Sequence, residues 1–509
     1  MMAALKDQQH AMTLSQLLSG VCATEYLPDI EIHGLALDSR KVETGYAFVA
    51  MQGQLEHGLA YAEAAVSRGA VVVLCDAEFD QYCQQILSRI MARVICVPIK
   101  KLRSKLNEIT NKFYAGTHEK LFIAGITGTD GKTSVSHFIA QAMHQAYNSA
   151  AVVGTLGNGE INSLEEATHT TPDIMSLHEM LADYSRRGIK HVAMEVSSHG
   201  LDQERVSGIS FDVAVLTNLS RDHLDYHGDL VSYKKAKKKL FTEHATSALV
   251  VNADDSFGYE IYMELKTSRD IWLYGLNKER ASKSELFACA EAVVTHKEGI
   301  KFMLVSSHGV AEIALKLIGV FNIYNALACF CTLIQSGINF NHAVKYLENL
   351  STVPGRMELL TEAGQAAVVI DYAHTPEALA QALSNVRKHV SGKLICVFGC
   401  GGERDSGKRP LMAQAAEQFA DLLIITNDNP RNEDPYKIID DIKSGINNES
   451  GLIIETDRRK AIAQALELAA ENDLILIAGK GHEVFQIIAN KKIDLNDRQV
   501  VLECQGAAK

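Results

Sequence analysis

Gly128-Thr129-Asp130-Gly131-Lys132-Thr133-Ser134 gathers glycines, a lysine and three hydroxyls into seven residues. Glycines of this kind let backbone N–H groups approach phosphate oxygens, Lys132 can neutralise charge on β- and γ-phosphates, and Thr133 can offer a hydroxyl to Mg2+. The apolar run LFIAGIT (121–127) before it reads as a strand and VSHFIAQAMHQA (135–146) after it as a helix. The loop therefore lies at a helix N-terminus, where the dipole favours an anion. The strict phosphate-loop spacing wants glycine at 126, which is Ile126, so the match is to a shortened variant using Gly125 and Gly128. A glycine turn with an incidental lysine is the plain alternative, and the flanking strand and helix argue against it.

Glu195 closes a buried-looking run, HVAMEVS (191–197), and His223 follows another, DVAVLTN (212–218). Ligands bind at such carboxyl ends of strands in α/β sheets. Alone, Glu195 reads equally as a turn cap and His223 as a loop histidine. His223 and His227 are four apart, as zinc ligands on a helix can be, but HLDYH lacks the glutamate of the zinc-protease pattern and no third ligand is evident. Zinc is rejected. In SYKKAKKKLF (232–241), Lys234, Lys235, Lys238 and Lys239 read as a solvated basic helix face.

Such loops need strands to carry them. Short β-branched runs recur at 45–51, 70–75, 93–99, 121–127, 191–197 and 212–218, separated by helix-like stretches, and resume at 247–252, 367–373, 393–399, 421–427 and 473–479. Their nearly continuous apolar character predicts strands buried on both faces, and the alternation predicts βαβ units in several parallel sheets. An amphipathic helix between Leu102 and Tyr114 and the loop Ser351 to Glu358 are the candidate boundaries, dividing the chain into 1–103, 104–353 and 354–509. The chain shows no repeat or low-complexity tract, and eight prolines argue against long rigid linkers.

Composition excludes several classes. At 509 residues the chain is too long for a single small binding module. Fifty Lys+Arg against 62 Asp+Glu leave a net charge of −12, the wrong sign for binding nucleic acid through its phosphates. The ten cysteines are scattered without C-x-x-C spacing, which fits buried thiols in a reducing compartment. The first twenty residues lack a signal peptide's uninterrupted apolar stretch, and no segment reaches the roughly 20 apolar residues of a membrane helix. A cytoplasmic location without membrane insertion is expected, with the protein a monomer.

GITGTDGKTS, together with HTTPD (169–173), EVSSHGL (195–201), TNLSRDHLDYHG (217–228), NADD (252–255), GVFNIYNALA (319–328), PGRME (354–358) and DYAHTP (371–376), resembles the Mur ligase family from about residue 35 to 485. DSRKVETGYAFVA (38–50), GCGGERDSGKRP (399–410) and DNPR (428–431) are similar to the members that add meso-diaminopimelate to UDP-N-acetylmuramoyl-L-alanyl-D-glutamate. The resemblance implies an α/β fold of three domains: an N-terminal uridine-nucleotide-binding domain, a central phosphate-loop ATPase domain with a mostly parallel sheet, and a C-terminal Rossmann-like domain that binds the amino acid. It also implies an amide-forming ligase of peptidoglycan precursor synthesis working through an acyl phosphate. Asp130 departs from the family, which has asparagine there, and puts a carboxylate beside phosphate.

By the same resemblance, ATP meets Gly128 to Ser134 with Asn322, Arg356 and Asp371, bridging two domains, while Lys132 is catalytic with Glu195, His223 and Lys237. Thr133, Glu195 and His223 hold Mg2+, two ions in all, the second helped by a CO2-derived carbamate on Lys237. Carbamylation needs the neutral amine, which crowding by like charges favours. Asn322 reads otherwise as a helix cap. The UDP-sugar peptide matches Leu37, Ser39, Gln54, Leu55, Glu56, His169, Thr170, Thr171, Ser197, Gln203 and Arg205, the last offering a donor fork. Diaminopimelate matches Arg404, Asp428, Asn429, Pro430, Arg431, Gly479 and Glu483. Its second carboxylate needs a cation that a lysine acceptor does not, and Arg431 provides one. A surface turn is the bland alternative for DNPR.

Overall fold

The computed structural model describes residues 11–53, 56–78, 81–114, 116–489 and 491–506. The chain forms two compact units, one from Met1–Lys132 with Tyr147–Leu249 and the other from Thr133–Ala146 with Val250–Lys509.

In the first unit, Gly34–Ala36, Tyr46–Ala50, Val72–Asp76 and Ile95–Ile99 form a four-stranded parallel sheet. Side chains alternate across it. Ala47, Val49, Val72 and Leu74 enter one apolar cluster while Phe48, Ala50, Val73 and Cys75 enter another, so the runs are apolar because both faces are covered. The expected helix is present as Leu102–Tyr114, burying Leu102, Leu106, Ile109 and Phe113 at helical spacing. A second sheet in this unit sets Ala151–Gly154, His191–Glu195, Phe122–Thr127 and Phe211–Leu216 side by side, all parallel. An antiparallel ribbon, Gly157–Glu160 with Ser163–Glu165, extends its edge. Within Phe122–Thr127, Gly125 leaves room for the Phe211 ring of the neighbouring strand, with which a Cβ would collide.

In the second unit, Leu286–His296, Gly299–Ser306 and Gly309–Leu315 make an antiparallel meander that the expectation of parallel sheets did not include. Buried and more exposed positions alternate along much of these strands, as in sheets with one solvated face, and Glu291, Lys301 and Glu312 interrupt the apolar runs that mark the others. The helix Phe321–Gln335 is buried along most of its length. A six-stranded sheet follows in the order Glu358–Leu360, Ala367–Asp371, Leu474–Ala478, Leu394–Phe398, Leu422–Ile425, Leu452–Ile454, antiparallel only at the first strand. All eleven apolar runs read from the sequence are strands, each within about two residues of the expected limits. Of the ten cysteines, none is disulfide-bonded and only Cys504 is exposed. Among the described residues no helix is long and apolar enough to cross a membrane.

Candidate functional site

Two groups of functional side chains lie at strand ends, one in each unit. In the first unit, Phe122–Thr127 runs into the glycine loop and the helix Lys132–Tyr147. Gly128 (φ 150°) and Gly131 (φ 81°) take conformations that other residues rarely adopt, and a Cβ on Gly128 would strike the Thr217 hydroxyl. The loop is laced to the segment after Phe211–Leu216. Thr129 N donates to Asn218 O (2.9 Å), Asp130 N to Asn218 Oδ1 (3.0 Å), and Thr217 Oγ1 to Asp130 O (2.6 Å). Lys132 Nζ folds back to donate to Gly128 O (2.9 Å) and Thr129 O (2.8 Å). Thr133 opens the part of this helix that belongs to the second unit, and its carbonyl accepts from Ser136 Oγ (3.0 Å). Ser134 follows, half-buried.

Lys237 lies on the helix Leu230–Lys239, 1% exposed, and its Nζ donates to Gly128 O at 2.7 Å, sharing that carbonyl with Lys132. Burial first, and then the Lys132 charge, hold its amine well below the ordinary lysine value, opposed by Asp222 and Asp130. The crowding cation is thus the phosphate-loop lysine and not the neighbours on Lys237's own helix. Asp130 finds its counterweight in the same place, since its charge acts on Lys237.

Glu195 is fully buried at the end of its strand, Oε1 accepting from Thr155 N (2.8 Å) and Oε2 from Thr155 Oγ1 (3.1 Å). His223 is half-exposed and occupies the left-handed region (φ 52°), which costs a non-glycine residue about 1–2 kcal/mol. Its ring is 4.9 Å from that of His199, and His227 is 5.5 Å from His199. Among the described residues no three His, Cys, Asp or Glu side chains group as a metal cage. Mg2+ takes few protein ligands and keeps waters and substrate phosphates, so it needs no such cage. A carboxylate oxygen such as those of Glu195 is a donor of the kind that hard cation takes.

Close by, still in the first unit, a cavity of about 600 Å3 is lined by Leu37, Glu56, His169, Gln203 and Arg205, five of the positions expected to hold the nucleotide-sugar peptide. Arg205 donates from Nη1 to Thr171 O (2.7 Å) and from Nε and Nη2 to Gln203 Oε1 (3.0 and 2.7 Å). Thr171 and Ser39 are buried and do not line it; Thr171 donates to Glu195 O (2.9 Å), and Ser197 caps the helix Ser198–Asp202 by accepting from Gly200 N. Thr170 pairs with Thr155 through their hydroxyls (3.1 Å). Gln54 and Leu55 lie outside the described residues. Sequence reasoning missed Arg103 and Lys41, which add cations to the lining. A basic residue at the start of the helix Leu102–Tyr114 was the available signal for Arg103.

In the second unit, Asp371 ends its strand and accepts from Met357 N (2.8 Å) and Ala373 N (2.9 Å), while the Arg356 guanidinium stands over the Tyr372 ring (5.2 Å). Burial, outweighing those amides and the Arg356 charge, pushes the Asp371 carboxyl above its ordinary value. Asn322 is buried, donating to Ile318 O and accepting from Asn325 Nδ2 (2.8 and 2.9 Å); the cap position of its helix belongs to Val320.

Across the same sheet, DNPR follows Leu422–Ile425, with Pro430 buried and Arg431 in the left-handed region (φ 52°). Arg431 Nη1 donates to Gly402 O (2.7 Å). Asn429 Nδ2 donates to Glu483 Oε2 (3.1 Å), and a Cβ on Gly479 would press on Asp428 Oδ2 at 2.7 Å. Burial raises the Asp428 carboxyl above its ordinary value. Asp428, Asn429, Arg431, Gly479 and Glu483 thus converge, while Arg404 is exposed on the neighbouring loop. Lys480 was missed: its Nζ is fully buried against Glu483 Oε2 (2.7 Å) and Asn429 Oδ1 (3.3 Å). Its position between two glycines just after an apolar strand was the signal.

Three family models match consecutive stretches: "Mur ligase family, catalytic domain" over 31–114, "Mur ligase middle domain" over 126–333 and "Mur ligase, glutamate ligase domain" over 355–481. A protein of Coxiella burnetii named UDP-N-acetylmuramoyl-L-alanyl-D-glutamate–2,6-diaminopimelate ligase is 42% identical over 472 residues, 92% of this chain and 94% of its own. A Vibrio vulnificus protein of the same name is 40% identical over 98% of this chain and 99% of its own. A solved structure bearing that name superposes with a TM-score of 0.74 at 36% identity, covering 97% of this chain and 99% of that one. With an α/β architecture of parallel sheets and three family domains in the family's order, this chain belongs to the Mur ligase family.

Proposed function

We propose that the chain is the ATP-dependent ligase that joins meso-diaminopimelate to UDP-N-acetylmuramoyl-L-alanyl-D-glutamate in peptidoglycan precursor synthesis, a reaction of the cytoplasm. The observation that carries this reading is the DNPR loop. Arg431 is brought together there with Asp428, Asn429 and Glu483, a set of both signs suited to an acceptor with two carboxylates and two ammonium groups.

A carboxylate is a poor electrophile until activated. A carboxylate oxygen of the dipeptide attacks the γ-phosphorus of ATP, the bond to the bridging oxygen breaks, and ADP leaves. The unprotonated acceptor amine then attacks the acyl carbon; phosphate departs and the nitrogen loses its proton. Protein work here is positioning and charge. Lys132 leaves the carbonyls of Gly128 and Thr129 for phosphate oxygens, and the glycine-loop amides from Gly128 to Ser134 cradle them. Asn322, Arg356 and Asp371 serve the nucleotide. Leu37, Ser39, Gln54 to Glu56, His169, Thr170, Thr171, Ser197, Gln203 and Arg205 serve the UDP-sugar peptide.

Two Mg2+ ions belong to this reading, held by Thr133, Glu195, His223 and a carbamate on Lys237. When bound, Mg2+ supplies charge neutralisation to the phosphoryl oxygens. Carbamylation forms an N–C bond between neutral Lys237 and CO2 with loss of a proton, and the depressed amine of Lys237 supports it. The division at 1–103, 104–353 and 354–509 goes with these roles: uridine anchor, ATP-binding domain and amino-acid domain.

The test is an acceptor panel. Phosphate release should require both UDP-N-acetylmuramoyl-L-alanyl-D-glutamate and meso-diaminopimelate, with L-lysine and L-glutamate poor substitutes. Equal use of lysine would make the chain a lysine-adding ligase, and release indifferent to either substrate would overturn the reading.

A further inference from the structure

Tyr226 sits on the short helix Leu224–His227, three residues past His223, and none of the expected roles uses it. Its hydroxyl donates to Asp202 Oδ2 (2.9 Å) and receives Gln203 Nε2 (3.1 Å). The direction of each bond follows from donor and acceptor inventory. An ionised carboxylate only accepts, so the phenol's one hydrogen is committed to Asp202 and its lone pair must face the Gln203 amide nitrogen. Gln203 Oε1 is then turned toward Arg205, which only donates. Orientation of the amide is thus fixed from both ends, by Tyr226 and by the guanidinium.

Arg205 has five N–H donors. Nε and one on Nη2 go to Gln203 Oε1, and one on Nη1 goes to Thr171 O. One hydrogen on each terminal nitrogen is left for other acceptors, and Arg205 and Gln203 both line the 600 Å3 cavity. Burial, the largest cause, with Asp202 alongside, raises the Tyr226 hydroxyl above its ordinary value and keeps the donor protonated.

We propose that Tyr226 is a positioning residue for the nucleotide-sugar substrate: by holding the Gln203 amide in one orientation it aims the Arg205 fork into the cavity. This rests on the cavity's reading as the UDP-N-acetylmuramoyl-dipeptide site. Without the phenol, the amide can rotate and set its NH2 against the guanidinium, and the fork loses its anchor at Nε and Nη2. The same network passes through Thr171 to the backbone of Glu195, so the cavity's arginine is tied to the strand end that carries the buried carboxylate.

Calorimetric binding of UDP-N-acetylmuramoyl-L-alanyl-D-glutamate tests this without turnover. Tyr226→Phe should weaken binding about fivefold to tenfold, the worth of one net hydrogen bond near a charged group, with ATP binding unchanged within about twofold. Asp202→Asn should act in the same direction and more weakly, and stands in should Tyr226→Phe not fold. In an Arg205→Ala background, Tyr226→Phe should have no further effect, because its action passes through that side chain. An equal loss in both backgrounds, or wild-type affinity in both Tyr226→Phe and Asp202→Asn, overturns the proposal. Absence of binding by the wild-type chain would instead overturn the function proposed for the cavity.

Discussion

The glycine loop at Gly128 and the DNPR loop at Asp428 both follow buried parallel strands, yet different forces hold them. The first is shaped by neutral groups: backbone amides and carbonyls, the Thr217 hydroxyl and the Asn218 amide. Its two lysines converge on one carbonyl oxygen, Gly128 O. The second is held by opposite charges. Buried Arg409 grips Glu433 through two 2.8 Å bonds and Asp441 through a third, and Glu433 also receives Glu403 N, tying the loop that carries Arg404 to the loop that carries Arg431. One region concentrates positive charge and so suits the triphosphate and its transferring phosphoryl group. The other balances its charges and so suits a zwitterion.

That contrast is sharpened most by removing the two lysines. Lys132→Ala should abolish ligation, a loss of about a thousandfold or more in kcat, because nothing else on the loop offers a mobile cation to the phosphates. Phosphate release assays check it, and substantial survival of turnover would contradict the phosphate-loop assignment. Lys237→Ala should come close to that loss. Intact-mass analysis in bicarbonate should show a carbamate on the wild-type chain that the variant lacks; an unmodified amine together with full activity of Lys237→Ala would end the carbamate proposal.

Arg431→Ala tests the other region. Diaminopimelate use, read as kcat/KM, should fall about a hundredfold, since the second carboxylate loses a bidentate partner worth a few kcal/mol, while the KM for ATP stays near its wild-type value. Equal losses for both substrates would mean that Arg431 shapes the whole unit and does not select the acceptor.

The two regions were not equally legible in the sequence. The glycine loop announces itself because its parts are contiguous, and its strand is an unbroken apolar run. The region around DNPR comes from 399–404, 428–431 and 479–483, stretches that only the order of the parallel strands brings together. Lys480 looks like a loop lysine until the fold buries it beside Glu483. The meander from Leu286 to Leu315 is less legible because Glu291, Lys301 and Glu312 break its apolar runs and one of its faces is left partly exposed, so it lacks the dense runs of strands covered on both faces. Lys237 stands apart from its neighbours in being buried, and the cause of its depressed amine differs from the crowding by like charges on its own helix that the sequence suggests. Burial and the Lys132 charge depress its amine, and neither can be read from the run KKAKKK.

The smallest expected effect lies in how each region meets acid. Arg409 holds the Glu433 carboxyl down at about 2, first through their hydrogen bonds, with the Glu403 amide next. A carboxyl whose value is lowered by folding stabilises the fold at pH above its unfolded value, and that contribution disappears as pH falls through the folded value. For Glu433 the window therefore runs from about 4.5 down to about 2. Glu433→Gln should remove its share of the slope of unfolding free energy against pH in this window, leaving stability near neutrality modestly lower and Lys132-dependent nucleotide binding untouched. Urea unfolding at a series of pH values reads the slope, and an unchanged slope would mean that Asp441 alone balances Arg409. Wild-type diaminopimelate KM in Glu433→Gln would further show that the pair is not what keeps the DNPR and GCGGERD loops in register, and would remove the distinction between a charge-held and a neutral loop from which these expectations start.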